Sequence, residues 1–360
     1  MKDGVRTAVV GVGNVSREYH LPIIDRHRGS ELVALCDQDE AALRDCAAEY
    51  DVTGYTGLGT MLDEERIDSV HVCTPPQSHA AIAEEVMSND VPVLIEKPAT
   101  TSVAELERLD ELATEYDVPS CVVHNQLFFP CTREAVSRVD AGEIGDVSSV
   151  TMLFSEPRDL TETPRGDWVF DLPGAEIGEG IVHQVYLPLA FVTGLGEVRS
   201  INKGNYSGYD DSVGFDGLVI EAVDATGDRT ITIKILTTSE HKNELLIHGT
   251  EGELTLDLLK RAVFRERIGT SDDVTYADMM ISSSLAMLQQ LALNLVEQGF
   301  GEISRQVYDR FGHERALSHH GHYWLIREYV EAVRTGGEPP VPLADALATI
   351  EVLEAIGAAE

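Results

Sequence analysis

The segment Gly11–Ser16 has residue types that are suited to binding a pyrophosphate. It reads Gly-Val-Gly-Asn-Val-Ser and stands directly after an apolar β-branched run, where it opens a predicted helix. Glycines in such a turn let the backbone approach a pyrophosphate, and the unpaired N–H groups at the helix N-terminus stabilise its charge. Ser16 stands where the pattern has Gly or Ala, and Ser is small enough for close packing of helix on strand. A plain turn explains the two glycines equally well if they are taken alone.

Asp37 favours the dinucleotide interpretation of this loop. It lies 21 residues beyond Ser16, at the end of the second predicted strand. That is close to the offset of about 20 residues at which an acidic side chain accepts a hydrogen bond from a ribose 2′-OH. A carboxylate there also repels a 2′-phosphate, so we expect NAD rather than NADP. Asp37 is also a candidate N-cap for the next helix, and the two roles are compatible.

Lys97 is the candidate for a positioned positive charge. It is the only Lys between Lys2 and Lys203, and it follows Glu96 at the end of a predicted strand. The run Cys73–His79 follows the neighbouring predicted strand, and the carboxyl ends of parallel strands open on one crevice. We therefore expect both segments to face the same crevice as the glycine loop. A surface ion pair with Glu96 is the alternative for Lys97.

These side chains depend on an alternation of strands and helices in the first third of the chain. Such an alternation is typical of a parallel, doubly wound sheet with helices on both faces. We predict an α/β domain of this kind over residues 1–126. Its predicted strands are Val5–Val10, Glu31–Cys36, Ser69–Cys73, Pro92–Ile95 and Ser120–His124, and its predicted helices are Asp39–Tyr50, Ser78–Met87 and Ser102–Tyr116.

A second domain is predicted over residues 127–360. Strand-like segments follow one another with turns at 225–228 and 249–252, which indicates a largely antiparallel sheet and an α+β fold. A helical region at 282–331 is predicted from the spacing of Leu285, Leu288, Leu291 and Leu295. The predicted strands are Val147–Phe154, Val198–Asn205, Gly217–Ala225, Arg229–Thr238, Glu244–His248, Glu253–Asp257 and Ala262–Ile268, and the other predicted helices are Glu179–Val192 and Leu343–Ile356.

The charge balance excludes two classes of partner. The chain of 360 residues has 27 Lys and Arg against 62 Asp and Glu, and its formal net charge is −35. So much negative charge repels phosphate backbones and anionic membrane surfaces, and no basic run relieves it. We therefore expect neither a nucleic-acid nor a membrane partner. With 43% hydrophobic residues, the composition is that of a globular protein.

The same charge indicates adaptation to a salty cytoplasm, as in a halophile. Self-repulsion destabilises a compact chain unless salt screens it, and the Debye length falls from about 8 Å at physiological ionic strength to about 3 Å at about 1 M. The imbalance far exceeds the magnitude of about 2–8 that suffices for solubility. An ordinary acidic protein from a low-salt environment is the alternative.

The cysteines and the start of the chain bear on location. Five cysteines form no C-x-x-C pair and are predicted to be reduced and buried: Cys36, Cys46, Cys73, Cys121 and Cys131. The first residues show no cleavable signal, and no apolar run approaches about 18 residues. We expect a cytoplasmic protein.

The sequence resembles the Gfo/Idh/MocA family of NAD(P)-dependent oxidoreductases. The resemblance rests on three motifs in this order and spacing: the glycine loop, the run Cys73–His79 and the triplet Glu96-Lys97-Pro98. The resemblance covers nearly the whole chain, because this family pairs a Rossmann domain with a C-terminal domain built on an open, mostly antiparallel sheet. It implies that Lys97 stands beside the nicotinamide and the reacting oxygen, and that the bond to Pro98 is cis. It also implies a homodimer or homotetramer.

The family's second signature is a helix with an acidic residue, a His four positions on and an acidic residue three beyond. Glu179, His183 and Tyr186 stand at these positions, and the spacing puts them on one helix face. His183 matches the catalytic His, whereas Glu179 replaces the usual Asp and Tyr186 replaces an acidic residue. A hydrogen-bonded His on a packed helix is the alternative for His183.

The resemblance extends to the other contacts of cofactor and substrate. Leu127 stands where an Arg is frequent in the family, and core packing is the alternative for Trp168. Substrate contacts are expected from Lys97, Arg165, Trp168, His183 and Tyr186. The residues expected to hold NAD are Gly11, Gly13, Asn14, Val15, Asp37, Thr74, Pro75, His79, Glu96, Lys97 and Asn125.

A histidine tract could be taken for a metal site. It consists of His319, His320 and His322, and imidazole is a common metal ligand. Because the family needs no metal, we expect none and predict that the tract caps a helix or lines a pocket.

The implied chemistry is hydride transfer between the nicotinamide and a secondary alcohol of a sugar, a sugar derivative or a cyclitol. His183 would take the hydroxyl proton, since an unperturbed imidazole pKa of about 6.5 suits a general base. Lys97 would stabilise the developing alkoxide, and Glu179 would orient the imidazole. Two other functions stay open: an NAD-dependent glycoside hydrolase of the same family, and a non-catalytic dinucleotide-binding sensor.

Overall fold

The structure, a computed structural model, describes residues 4–163, 165–210, 213–266 and 314–358, with the positions 284–285, 288, 292 and 309–310. The chain divides into two compact units, which are Met1–Phe128 with Val307–Glu354 and Phe129–Gln306 with Ala355–Glu360. The first change of unit falls close to the predicted boundary at 126. The prediction has to be corrected for residues 307–354, which belong to the first unit.

A parallel sheet forms the centre of the first unit. Its six strands lie in the order β3-β2-β1-β4-β5-β6, and every neighbouring pair is parallel, which confirms the doubly wound fold. The order reverses at β1, and ligands of such sheets bind at the carboxyl ends of the strands beside that switch point. The strands are β1 Val5–Val10, β2 Ser30–Cys36, β3 Thr53–Tyr55, β4 Ser69–Val72, β5 Val93–Ile95 and β6 Cys121–Val122.

Helices connect these strands, and local capping sets where two of them begin. Asp39 caps the second helix by accepting hydrogen bonds from the amides of Ala41 and Ala42, and Ser102 caps the fifth. After the glycine loop, Ser16–His20 forms a π turn that runs into the first helix. The helices are α1 Leu21–Arg26, α2 Glu40–Tyr50, α3 Leu58–Glu64, α4 His79–Met87 and α5 Val103–Glu115.

The second unit contains a mixed, mostly antiparallel sheet, as predicted. Its seven strands lie in the order β13-β12-β11-β7-β10-β9-β8, and only the β7–β10 pair is parallel. The helix that carries the candidate His183 packs against β7 and β10. The elements are α6 Pro130–Asp140, β7 Val147–Ser155, α7 Ala175–Leu189, β8 Leu195–Gly204, β9 Gly217–Asp224, β10 Thr230–Leu236, β11 Lys242–Gly249, β12 Glu253–Asp257 and β13 Ala262–Glu266.

Two further helices complete the described chain: α8 Gly321–Thr335, and α9 Leu347–Ala358 after a 3-10 turn at Leu343–Ala346. Tyr329 of α8 is fully buried, and its hydroxyl lies 3.1 Å from Oγ of Ser69 on β4. The buried face of α8 therefore completes the core of the first unit, which is why this segment belongs there. Of the four leucines in the predicted helical region, Leu285 and Leu288 are helical and exposed, whereas Leu291 and Leu295 lie outside the described residues.

Two expectations about the environment can be compared with the fold. All five cysteines are free and buried, which confirms the prediction of buried thiols without disulfides. Burial raises the pKa of Cys36 and of Cys131 to about 11, so these thiols stay protonated near neutrality. In the part of the chain that the structure describes, no helix combines the length and the apolar character that crossing a bilayer requires.

Candidate active site

The two glycines of the first loop differ in their surroundings. Gly11 is buried with a φ of +94°, and a Cβ there would lie 2.8 Å from the main-chain carbon of Cys73. Gly13 is exposed, and a Cβ there would have no neighbour within 4 Å. Gly11 therefore lets β1 pass close to the strand beside it, whereas the space around the backbone of Gly13 is open.

Asp37 is tied to that loop. Its Oδ2 accepts a hydrogen bond from the Val12 amide at 2.7 Å, and its Oδ1 accepts one from the Asp39 amide at 2.9 Å. The N-cap of α2 is Asp39, so the alternative of Asp37 as that cap is wrong. Arg17, which sequence reasoning missed, braces the loop by donating to the carbonyl oxygens of Val12 and Ala42 at 2.8 and 2.9 Å.

The segment after β4 is joined to the segment after β5 by His79. This side chain is fully buried, with Nδ1 2.9 Å from the carbonyl oxygen of Pro98 and Nε2 2.7 Å from that of Thr74. Burial lowers the pKa of His79, although the hydrogen bonds to these carbonyl groups oppose the shift. Thr74 is half-buried and Pro75 exposed, so these two residues are accessible at the sheet edge, whereas His79 supports the loops from within.

Glu96 is buried beside Lys97 and bound by two histidines. It is 4% exposed; its Oε1 lies 2.8 Å from Nε2 of His20 and 3.4 Å from Nε2 of His322. The amide of Lys97 donates to Oε2 at 3.1 Å, and the Lys97–Pro98 bond is cis, as the resemblance implies. Because Glu96 is buried, its carboxylate does not lie at the surface, where the alternative of an ion pair with Lys97 would place it.

The electrostatics of this cluster favour a charged Glu96 and a neutral His322. Burial raises the pKa of Glu96, but the hydrogen bonds from His20 and His322 outweigh it and hold the pKa well below its usual range. Burial lowers the pKa of His322. The ligand atoms of His20, Glu96 and His322 lie within 4.8 Å of one another, which is close enough for one metal ion.

Within the histidine tract, His322 contacts Glu96. Its Nδ1 lies 3.4 Å from Nδ2 of Asn125, so it links two residues that were expected to hold NAD. His320 occupies the N-cap position of α8 without a side-chain cap, and its ring contacts that of His319. His20 was missed by sequence reasoning, since its partner Glu96 is 76 residues away in the chain.

In the second unit, α7 carries a stripe of polar side chains. Glu176, Glu179, His183 and Tyr186 follow one another at spacings of three, four and three residues, which places them along one helix face. Nδ1 of the half-buried His183 lies 2.6 Å from the hydroxyl of Tyr186, which is itself buried. Tyr186 thus orients the imidazole, a role that the sequence assigned to Glu179.

Arg165 links Glu179 to Glu176, and Arg158 also pairs with Glu176. Arg165 places Nη1 2.8 Å from Oε2 of Glu176 and Nε 3.2 Å from Oε2 of Glu179, and Nη2 of Arg158 lies 3.3 Å from Oε2 of Glu176. Both carboxylates are buried. Arg158 and Glu176 were missed by sequence reasoning, although Glu176 stands one helical turn before Glu179 on the same face. Trp168 is half-buried and donates from Nε1 to the carbonyl oxygen of Arg165 at 2.8 Å, so it is not a core residue.

Each unit therefore assembles part of the expected set. The first unit brings together the glycine loop, Asp37, and the residues around Lys97 and Asn125. The second unit brings together Arg165, Trp168, Glu179, His183 and Tyr186.

Two known enzymes are similar in sequence to part of this chain. The dTDP-3,4-didehydro-2,6-dideoxy-alpha-D-glucose 3-reductase of Saccharopolyspora spinosa is 31% identical over 159 residues, which are 44% of this chain and 47% of that protein. The NADP(+)-dependent D-xylose 1-dehydrogenase of Haloarcula marismortui is 28% identical over 158 residues, 42% of this chain and 44% of that protein. This chain spans less than half of the length of either enzyme.

The fold is also found in a solved structure. The WlbA dehydrogenase of Bordetella pertussis, in complex with NADH and UDP-GlcNAcA, superposes with a TM-score of 0.72 at 19% identity, over 98% of this chain and 94% of that one. A family model described as an oxidoreductase family with an NAD-binding Rossmann fold, GFO_IDH_MocA, matches residues 5–124. Residues 5–124 are therefore similar to the NAD-binding Rossmann domain of this oxidoreductase family.

Proposed function

We propose that the protein is an NAD(P)-dependent oxidoreductase that transfers a hydride between the cofactor and a carbon bearing a secondary alcohol or ketone in a sugar, a sugar derivative or a cyclitol. The observation that carries the proposal is the first unit's sheet edge. There an open glycine loop, the bound carboxylate of Asp37 and the half-buried Lys97 follow strands of one parallel sheet. The match of residues 5–124 to an oxidoreductase family supports it.

The cofactor proposed is NAD. The exposed backbone at Gly13 and Asn14 suits a pyrophosphate, and Asp37 would accept a hydrogen bond from the ribose 2′-OH. The negative charge of Asp37 disfavours a 2′-phosphate. NADH is bound in the WlbA dehydrogenase, whereas the xylose dehydrogenase uses NADP, so relatives with either preference exist.

The nicotinamide, when bound, accepts or donates the hydride. The chain's own residues then handle charge and protons. The ammonium of Lys97 stabilises negative charge on the substrate oxygen, and the imidazole of His183 takes the hydroxyl proton during oxidation or returns it during reduction. The hydroxyl of Tyr186 contacts Nδ1 of His183 and fixes the ring, so Nε2 would be the ring atom that exchanges the proton.

The polar stripe of α7 supports a hydroxyl-rich substrate. Buried carboxylates at Glu176 and Glu179, paired with Arg158 and Arg165, supply acceptors and donors on the same helix as His183. Sugar-related substrates appear in the names of the similar enzymes, one a reductase and one a dehydrogenase. The direction of the reaction is therefore part of the test.

The test is turnover with a panel of sugars, polyols and inositols plus NAD(P), and of keto sugars plus NAD(P)H, in molar KCl. We expect net change of the reduced cofactor in at least one direction. Lys97→Ala and His183→Ala should each lower kcat by about 10²- to 10⁴-fold while NADH still binds. Lys242→Ala and His248→Ala, which remove an exposed and a half-buried side chain of β11, are the matched controls.

Other outcomes of the same panel would contradict the proposal. A protein that binds NADH but changes no substrate is a sensor. A protein that hydrolyses glycosides without net NADH is a redox-neutral hydrolase. Undiminished turnover of either Ala variant would refute the role assigned to that residue. We also propose a homodimer or homotetramer, which light scattering of the purified protein tests directly.

A further inference from the structure

The first unit contains a buried histidine cluster that the proposed mechanism does not use. Its members are His20, His71 and His322, grouped around Glu96, and each is buried. The ligand atoms of His20, Glu96 and His322 are close enough for a metal ion. The cluster is either a metal site or a brace, by which we mean a set of hydrogen bonds that holds the carboxylate of Glu96 in place. Which of the two it is depends on which ring nitrogens carry protons.

The position of the protons follows from the contacts of His20. An ionised carboxylate only accepts hydrogen bonds, so Nε2 of His20 carries a proton and donates it to Oε1 of Glu96. In the tautomer of His20 that is protonated at Nε2 alone, Nδ1 is an acceptor; it lies 2.9 Å from Nδ1 of His71, which then donates. That leaves Nε2 of His71 unprotonated, and this atom is buried without a hydrogen-bond partner.

A metal ion would reverse this arrangement at a cost. If Nε2 of His20 were a ligand, its proton would move to Nδ1 and would be donated to His71. His71 would then carry its own proton at Nε2, where no acceptor lies. A buried donor without a partner is rarer and less tolerated than a buried acceptor without one. The contacts of His71 therefore favour the hydrogen-bonded brace.

His322 repeats this pattern from α8. Its Nε2 faces the same carboxylate oxygen at 3.4 Å, and its Nδ1 accepts from Nδ2 of Asn125 at 3.4 Å. The face of its ring stacks on Tyr19 with centroids 4.2 Å apart, which fixes the plane of the ring. Two imidazoles thus converge on Oε1, and the amide of Lys97 occupies Oε2.

We propose that His20 and His322 are positioning residues that bind no metal and that fix the carboxylate of Glu96. Glu96 in turn holds the main-chain amide of Lys97, and His322 holds the side-chain amide of Asn125. The inference rests on the proposed function, because that function gives Lys97 and Asn125 their roles. Misplacing a catalytic group by about 1 Å can cost about 10²-fold in rate. This arrangement accounts for the burial of the side chains of His20, His71 and His322, which the glycine loop itself does not need.

The experiment compares His20→Ala, His20→Gln, His322→Ala and His322→Gln, with His319→Ala as the control from the same tract. Gln keeps an N–H donor for Glu96, so it should restore most of the activity that Ala removes. We expect the Ala variants to lower kcat about 10- to 100-fold with a smaller change in KM, because a mispositioned Lys97 affects the transition state more than substrate binding. His319→Ala should match the wild type.

Two readouts on the wild type do not depend on turnover. ¹⁵N spectra of labelled histidine should show His20 and His322 as neutral rings protonated at Nε2, with the peaks assigned by their loss in the Gln variants. Protein incubated with Zn²⁺ or Co²⁺ and then desalted should retain no stoichiometric metal. Retained metal that is lost in both Ala variants would overturn the proposal, and so would rings protonated at Nδ1.

The kinetic outcomes are equally decisive. Wild-type kcat in both Ala variants overturns the brace, as does a Gln variant that is as impaired as its Ala counterpart while melting at the wild-type temperature. If the Ala variants do not fold, the Gln variants and the spectra still decide. If no substrate is turned over at all, the proposed function fails, while the ring protonation states and the metal analysis still test the brace.

Discussion

At the scale of single residues, the charged and titratable groups of the candidate site are few, and each is fixed by hydrogen bonds. Asp37 receives two backbone amides, Glu96 receives two imidazoles and one amide, and His183 is bound by the hydroxyl of Tyr186. Each contact holds a charged or titratable group in one orientation before any ligand arrives. Such preorganisation is what electrostatic catalysis and specific cofactor binding require.

Cofactor preference is the first prediction at this scale. Asp37→Ser removes the negative charge and the acceptor for a 2′-OH, so the ratio of NADPH to NADH affinity should rise about tenfold or more. Fluorescence titration of both cofactors measures the ratio. Asp39→Ser is the matched control, because Ser still caps α2 and should leave the ratio unchanged. If the ratio of NADPH to NADH affinity is unchanged in Asp37→Ser, another residue distinguishes the ribose 2′-OH from a 2′-phosphate.

At the scale of elements, the ends of the parallel strands position the loops that carry the candidate site residues. Runs of β-branched residues located five of the six parallel strands, because a strand buried on both faces is almost continuously apolar. The short, partly exposed β3 has no such run and could not be found this way. The placement of α8 depends on Tyr329 filling a space beside Ser69, a contact across 260 residues that local patterns do not contain.

The candidate site shows the same division between local and distant information. Spacing within one segment identified Gly11, Lys97 and the face of α7, because these signals are local. The partners of the charged groups come from distant segments, as with His20 and Glu96. Sequence therefore located the candidate reactive groups but not the contacts that orient them, and it missed Glu176 because nothing local distinguishes a buried Glu from an exposed one.

The glycine loop gives the prediction at this scale. Gly11→Ala places a Cβ 2.8 Å from the main chain of Cys73 at a φ of +94°, which costs at least the roughly 1–2 kcal/mol of the left-handed conformation. Gly13→Ala meets nothing within 4 Å and should leave stability nearly unchanged. Urea unfolding and NADH titration separate the two. Gly11→Ala should be destabilised, and Gly13→Ala should fold normally but bind NADH more weakly.

A reversed pattern would contradict this account of the loop. Normal stability in Gly11→Ala would mean that β1 does not need its close approach to Cys73. Undiminished NADH affinity in Gly13→Ala would mean that the cofactor does not pass over this residue.

At the scale of the whole molecule, two features determine how the free energy of unfolding depends on salt concentration and pH. They are the repulsion between the negative charges of the chain and the buried histidines. A net charge of −35 opposes compaction and is screened by salt. Four buried histidines have a pKa lowered first of all by burial, namely His71, His79, His124 and His322, and that of His124 falls to about 3. Salt and acid therefore act through different groups and can be separated.

Salt dependence follows from the charge. We expect the melting temperature to rise steadily between low and molar KCl, because screening removes repulsion from the folded chain more than from the expanded one. Differential scanning fluorimetry measures this rise. A melting temperature that does not change with KCl would support the alternative of an ordinary acidic protein.

Acid lability follows from the histidines. Their pKa is lower in the folded state than the value of about 6.5 in the unfolded chain, so the unfolded state binds more protons below that pH. Stability is thus fully present above about pH 6.5 and falls with acidification, by about 2 kcal/mol at pH 5 for His124 alone. Urea unfolding in molar KCl between pH 7.5 and 5 tests this, since screening suppresses the opposing relief of charge repulsion. His124→Gln should flatten the dependence, and an equally steep decline in that variant would contradict the assignment.

The central claim is that Lys97 and His183 serve hydride transfer with a nicotinamide cofactor. The most direct measurement is the near-ultraviolet absorbance of NADH during incubation of the wild type, Lys97→Ala and His183→Ala with the panel of sugars, polyols and keto sugars in molar KCl. We predict substrate-dependent change of NADH in the wild type and its loss in both variants, with NADH binding intact. Absence of any change in the wild type with every substrate and both cofactors, or full turnover in either variant, would contradict the account.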